Sequence, residues 1–359
     1  MSMLASHFRL ARTLFRNWGQ LQIYRFFRVT PKRYGNAVIV LDMYCNSSCG
    51  MCSSWARHTL EGTLTVEQWR TVVDKLVVHN PDIKISFVGG EPLLVEGLTD
   101  LLRYCHDRNV MFSLVTNGIL LDQKKIEEIL DVEPLALHVS FDSLRPTTYK
   151  RMRGVDETER VQANIRALSA AASTRALTPH LGLKTTVTNF NVEELNDIAR
   201  FADDVGMSVH YQPVLADNKV AARIMKVDRD VLDDQIMELT DAINSGLAKN
   251  ITNTPAHIRR WPTYFDGRET KRSHCPTAIE NLFIQHDGSV KLCERYSEKV
   301  GNVLTDSIDT IVRSEAARQL RSRTFSCQRN CTFIYQRGPL DYWRIFQVMV
   351  QKRRASLVR

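Results

Sequence analysis

The chain has 359 residues, 43% hydrophobic and 25% charged, with a formal net charge of +8. That composition supports a large globular core and excludes a disordered or fibrous chain. It contains no run of about 18 apolar residues, which excludes a helical membrane span, and the opening MSMLASHFRLARTLF has neither the apolar core nor the cleavage site of a secretory signal.

Residues 1–36 carry Arg9, Arg12, Arg16, Arg25, Arg28, Lys32 and Arg33, with no acid before Asp42. Phe8, Phe15, Trp18, Tyr24, Phe26 and Phe27 are interleaved with them. This segment is expected to be an amphipathic helix packed on the main domain with a basic outer face. Peripheral contact with an anionic membrane is the alternative. No nucleic-acid motif is recognisable, so no nucleic-acid partner is predicted.

From residue 37 a repeating unit begins. AVIVLDM (37–43), KISFV (84–88), FSLVT (112–116), LALHVSF (135–141), LGLKTTV (181–187) and VHYQPV (209–214) read as buried strands. Helices are expected between them, the first opening at a Thr65…Gln68 capping box, the others near 97–108, 122–130, 158–173 and 192–205. Six strands alternating with helices predict an α/β fold, a partial (β/α)6 barrel with its chemistry at the C-terminal strand ends. Residues 216–269 read as a helical connector. A DG hairpin at 281–293 and a helix near 307–321 mark a small cysteine-rich domain at 270–335, and a basic tail follows at 336–359.

Without export, eight cysteines are expected to serve metal or redox chemistry rather than disulfides. The location expected is cytoplasmic, with membrane contact at most peripheral. Cys45, Cys49 and Cys52 follow the first strand within eight positions. A loop that tight suits a cuboidal iron–sulfur cluster ligated at three corners, the fourth iron left for a small molecule. Zinc held by three cysteines and a distant ligand is the competing reading. Gly89-Gly90-Glu91-Pro92, Thr116-Asn117-Gly118 and Ser140-Phe141-Asp142 each follow a strand in the same way.

Cys-x3-Cys-x2-Cys after the first barrel strand resembles the radical S-adenosylmethionine (SAM) superfamily, over roughly residues 37–215. The resemblance implies a [4Fe–4S] cluster on Cys45, Cys49 and Cys52 whose open iron is chelated by SAM. Reductive cleavage then yields a 5′-deoxyadenosyl radical that takes a substrate hydrogen, with electrons from a low-potential donor such as flavodoxin or ferredoxin. Gly89, Gly90, Glu91 and Pro92 match the family's element for the methionine amino group. Thr116, Asn117, Ser140, Asp142 and Arg153 are implied in the rest of the SAM pocket. Met51 stands where the family usually has an aromatic residue, and a thioether can pack on adenine.

Cys275, Cys293, Cys327 and Cys331, with Gly288-x4-Cys293, resemble the SPASM/twitch extension of that superfamily. That implies a second, auxiliary [4Fe–4S] cluster; a structural zinc knuckle satisfies the same four thiolates. The reaction expected is oxidation or epimerisation of a small polar, carbohydrate-like or lipid-linked substrate. A peptide maturase and a non-catalytic metal-binding scaffold are the alternatives. Cys105 is a candidate hydrogen-atom donor for epimerisation, against the commoner role of a buried core thiol.

Overall fold

The computed structural model describes residues 3–52, 55–175, 179–215, 219–267, 274–329 and 331. The basic tail expected at 336–359 lies outside the described residues. Helix α1 (Met3–Phe27) precedes six alternating units: β1 (Asn36–Val40), α2 (Val66–His79), β2 (Lys84–Val88), α3 (Leu98–Asp107), β3 (Met111–Thr116), α4 (Gln123–Asp131), β4 (Ala136–Ser140), α5 (Pro146–Arg153), α6 (Thr158–Ser173), β5 (His180–Val187), α7 (Leu195–Asp204) and β6 (Ser208–Pro213). The strands are parallel and lie side by side in chain order, as successive right-handed crossovers require.

Local signals explain the helices. Thr65 and Gln68 form the reciprocal capping box at the start of α2, Gln68 N donating to Thr65 Oγ1 at 3.3 Å and Thr65 N to Gln68 Oε1 at 2.9 Å. Trp69, Val72, Val73 and Leu76 then recur on one face and are fully buried, the i, i+3, i+4, i+7 stripe of a core-facing helix. Helix α5 was not anticipated. Pro146 at its first turn and Gly154, in the left-handed region at its end, mark its limits. The single helix expected near 307–321 is two, Ile308–Arg313 and Glu315–Phe325, because Ser314 leaves helical geometry and caps the second through Ala317 N.

Alternation along the strands gives the barrel two different faces. Ile39, Phe87, Leu114 and Leu137 sit in register on four consecutive strands and are all fully buried among the surrounding helices. The other face, lining an interior cavity, carries Ser113, His138, Ser140, Lys184, Thr186, His210 and Gln212. A wholly apolar interior would have been filled by branched side chains; here it is polar and open.

The 270–335 segment shares this sheet. Strand β7 (Asn281–Ile284) lies parallel to β1, with Ile39 opposite Ile284; β8 (Ser289–Lys291) pairs antiparallel with β7, and β9 (Gly301–Asn302) antiparallel with β8. The result is one nine-stranded sheet, β6-β5-β4-β3-β2-β1-β7-β8-β9. Gly288, at φ +76°, makes the β7–β8 turn.

Candidate active site at the C-terminal strand ends

Beyond β1 and β2 the two chains keep running together. Leu41 N donates to Val88 O (2.9 Å), Gly90 N to Asp42 O (2.7 Å) and Glu91 N to Tyr44 O (2.8 Å). A Cβ on Gly89 would lie 2.6 Å from Asp42 O, and one on Gly90 2.2 Å from Tyr44 O. Two backbones that close admit only glycine. Gly89-Gly90 therefore holds the cysteine loop as well as bordering the cavity.

Cys45 and Cys49 are buried and Cys52 is exposed. Burial pushes the Cys45 thiol up, and Glu91, Cys49 and Cys52 push it further against a hydrogen bond from Ser47 N (3.4 Å). Burial likewise raises Cys49; Arg153 opposes the rise, with Nη1 at 4.0 Å from its Sγ, while Asp142 and Cys52 add to it. Thiols that resist ionisation because they are buried, and secondarily because they feel one another's charge, are relieved by a bound cation.

Glu91 is almost wholly buried and accepts three hydrogen bonds from its own chain: Leu93 N (3.0 Å), Thr116 Oγ1 (2.7 Å) and Asn117 N (2.7 Å). Asn117 Nδ2 in turn donates to Asn46 Oδ1 (2.6 Å) in the cysteine loop. The ends of β2 and β3 and the cysteine loop are thus one hydrogen-bonded unit.

Asp142 and Arg153 form a buried pair, Nε 2.6 Å from Oδ2, with the N–H off the line of a straight hydrogen bond. Thr186 N donates to Asp142 Oδ1 at 2.7 Å. Burial opposes charge on Arg153, yet Asp142 and Cys49 overcome it and hold the guanidinium protonated. Arg153 O also accepts from Ser48 N (3.1 Å), and a Cβ on Gly154 would meet Ser48 Oγ at 2.4 Å. The end of α5 is therefore braced against the cysteine loop.

A single cavity of about 860 Å³ joins these parts. Cys45, Cys49, Cys52, Met51, Gly89, Gly90, Glu91, Thr116, Asn117, Ser140 and Arg153 all border it; Pro92 and Asp142 stand behind its wall. Cys105 is elsewhere, fully buried on α3 in the helix-covered core, its thiol pushed up to about 12 by burial. Cys105 is not among the residues that line the cavity.

Sequence reasoning missed several lining residues. Trp55 borders the cavity and donates from Nε1 to Cys49 O (3.3 Å). His138, on β4, faces the interior, and Gly182 on the neighbouring strand leaves room for it; a Cβ there would lie 2.9 Å from His138 Nδ1. Burial, then Lys184, His180 and Lys84, lower the His138 pKa well below its ordinary value. The only signal in the sequence is polar residues at alternate strand positions.

The second cysteine set also converges. Burial raises Cys293 to about 12, and the charges of Cys275, Cys331 and Cys327 add to it. Backbone N–H groups two residues on donate to Cys293 and Cys327 (from Arg295 and Arg329, 3.4 Å each), repeating the Ser47–Cys45 arrangement. Hydrogen bonds to ligating sulfur are among the levers that tune iron–sulfur clusters. Among the described residues, no three metal-ligating side chains are drawn into a closed cage as they stand. The donor chemistry, three thiols beside a cavity and four in a separate group, nevertheless suits two clusters.

Comparison with known proteins agrees with this division. The family model for the radical SAM superfamily matches residues 41–204, and that for an iron–sulfur cluster-binding SPASM domain matches residues 275–332. An S-adenosylmethionine-dependent nucleotide dehydratase of Selenomonas ruminantium is 28% identical over 153 residues, 42% of this chain and 55% of that protein. The PqqA peptide cyclase of Bradyrhizobium diazoefficiens is 25% identical over 182 residues, 50% of this chain and 46% of that protein. The chain thus spans about half the length of these relatives. Streptococcus suis SuiB bound to S-adenosylmethionine shares the fold, with a TM-score of 0.67 at 15% identity over 85% of this chain and 71% of that one. The chain belongs to the radical SAM superfamily, with a C-terminal SPASM domain, and the cofactors of that family are a [4Fe–4S] cluster, SAM and auxiliary iron–sulfur.

Proposed function

We propose that this enzyme oxidises a small polar, carbohydrate-like substrate seated in the barrel interior. The observation that carries the reading is the cavity: about 860 Å³, polar on its strand side and open to the cysteine loop. Small-molecule sites run to about 300–1,000 Å³, so SAM and one modest substrate would fill it.

Cys45, Cys49 and Cys52 would hold the SAM cluster, and Cys275, Cys293, Cys327 and Cys331 the auxiliary one. When bound, these groups supply one-electron cleavage of SAM, hydrogen-atom abstraction and a one-electron sink for the substrate, a two-electron oxidation in sum. Gly89, Gly90, Thr116, Asn117, Ser140 and Arg153 border the space SAM would fill, with Met51 packing against its base. Glu91 fixes the ends of β2 and β3, and Pro92 and Asp142 support the wall from behind. His138, kept neutral by burial and by its cationic neighbours, is a base whose imidazole nitrogen would take up the hydroxyl proton that a carbinol releases on oxidation. The position of Cys105 outside the cavity favours oxidation over epimerisation.

A second reading, modification of a peptide side chain inserted into the same cavity, is favoured by the similarity to the PqqA peptide cyclase. Deuterium transfer separates the two. The reconstituted enzyme would be offered deuterated host extract split by size into small molecules and peptides, and 5′-deoxyadenosine examined by mass spectrometry. Deuterium from the small-molecule fraction is expected; deuterium arriving from the peptide fraction alone would sink the proposal.

A further inference from the structure

Helix α1 is apolar on two sides, and the fold uses one. Leu10 packs on Met111 and Leu135, at the starts of β3 and β4. Leu21 and Tyr24 pack on Ile279 and Phe325. Arg9, Arg12 and Arg16 converge on Asp82 just before β2. This side closes the N-terminal end of the barrel, opposite the cysteine loop.

The other side is exposed: Phe15 is 76% exposed, Phe26 69% and Phe27 74%, with Trp18, Ile23 and Val29 also open. Six of the ten large exposed hydrophobics among the described residues fall within residues 15–29. Phe15, Trp18 and Phe26 share about a quarter of the helix circumference. Arg25 lies over the Phe26 ring, Arg28, Lys32 and Arg33 are exposed at and beyond the end of the helix, and no acid precedes Asp42. No helix of the described residues is long and apolar enough to cross a membrane.

We propose that this face of α1 docks the protein on an anionic lipid bilayer. The aromatic side chains enter the boundary between headgroups and acyl chains, and the basic side chains meet lipid phosphate. Charge selects this occupant over a second copy of the chain. A two-fold contact through this face would set Arg25 against its own copy with no acid on α1 to answer it. Because α1 lies at the N-terminal end of the barrel, the docked protein keeps the cavity mouth towards water.

The test is co-sedimentation of the full cluster-loaded chain with vesicles of phosphatidylcholine alone and with about one-third phosphatidylglycerol. Binding to the anionic vesicles is expected, weakening as salt rises. The triple variant Phe15→Ser, Trp18→Ser, Phe26→Ser should weaken it at least about tenfold while SAM cleavage stays unchanged. Independently, brominated lipid should quench more fluorescence in the wild type than in Trp18→Phe, a comparison that still decides if the triple variant misfolds. No binding to either vesicle, equal binding to both, or undiminished binding by the folded triple variant would each overturn the proposal. So would a wild-type dimer abolished by that variant without any vesicle binding.

Discussion

Glu91 shows how a residue can be found in a sequence for one role and be held in the structure by another. The resemblance set its carboxylate against an ammonium group of SAM. Its described partners are internal: Leu93 N and Thr116 Oγ1 on Oε1, and Asn117 N on Oε2. Glu91→Gln keeps the shape but turns one acceptor into a donor facing a donor, at a cost of about 1–3 kcal/mol. The expected outcome is a lower urea midpoint at unchanged m-value, together with weaker SAM binding as Asn117 loses its anchor. An unchanged midpoint would mean the three bonds contribute nothing net. The cysteines were legible because ligand spacing is local. The lining role of His138 was not, because its meaning depends on Gly182, 44 residues away on the next strand.

At the scale of elements, the alternation of strands and helices was readable from period and caps. The extra pairing beyond β2 was not: the strand expected over 37–43 covers Leu41 and Asp42, but Gly89–Glu91 have no strand signature and meet that segment only through tertiary folding. That pairing makes a prediction about the glycines. Gly90→Ala places a methyl carbon where Tyr44 O already sits, at 2.2 Å, so the cysteine loop must move away from β2. Metal loading should then fall selectively, from about eight irons per chain to about four, with the C-terminal group intact. Iron analysis after anaerobic reconstitution measures this. Retention of all the iron would show that the loop tolerates the displacement. Helix α5 was missed because its eight residues include Pro146, Lys150, Arg151 and Arg153 and show no apolar repeat. What places it is its contact with Ser48, another tertiary effect.

For the whole molecule, the sequence reading set a small domain beside the barrel, while the structure joins the two through one sheet and through α2. Lys75 Nζ donates to Val303 O (2.5 Å) and Asp306 O (3.2 Å). His79, buried at the end of α2, accepts from Tyr34 N at Nε2 (3.0 Å) and lies 3.2 Å from Asp309 Oδ1 through Nδ1. This tautomer is neutral, donating from Nδ1 and accepting at Nε2. Burial lowers the His79 pKa below its ordinary 6.5, although Asp309 pulls the other way. The unfolded chain therefore binds a proton at His79 below about pH 6.5 that the folded chain refuses, and stability falls with pH there until the folded-state value is reached. Gln in its place can accept from Tyr34 N and donate to Asp309 without titrating. Urea midpoints of wild type and His79→Gln, measured anaerobically from about pH 7.5 to about pH 5.5, should diverge as pH falls, the wild type losing more. Clusters and other titrating groups enter both proteins alike and cancel in the difference. Parallel midpoints would show that His79 titrates in the folded protein as it does in the unfolded chain, and that the joint between α2 and the C-terminal segment does not depend on a neutral imidazole.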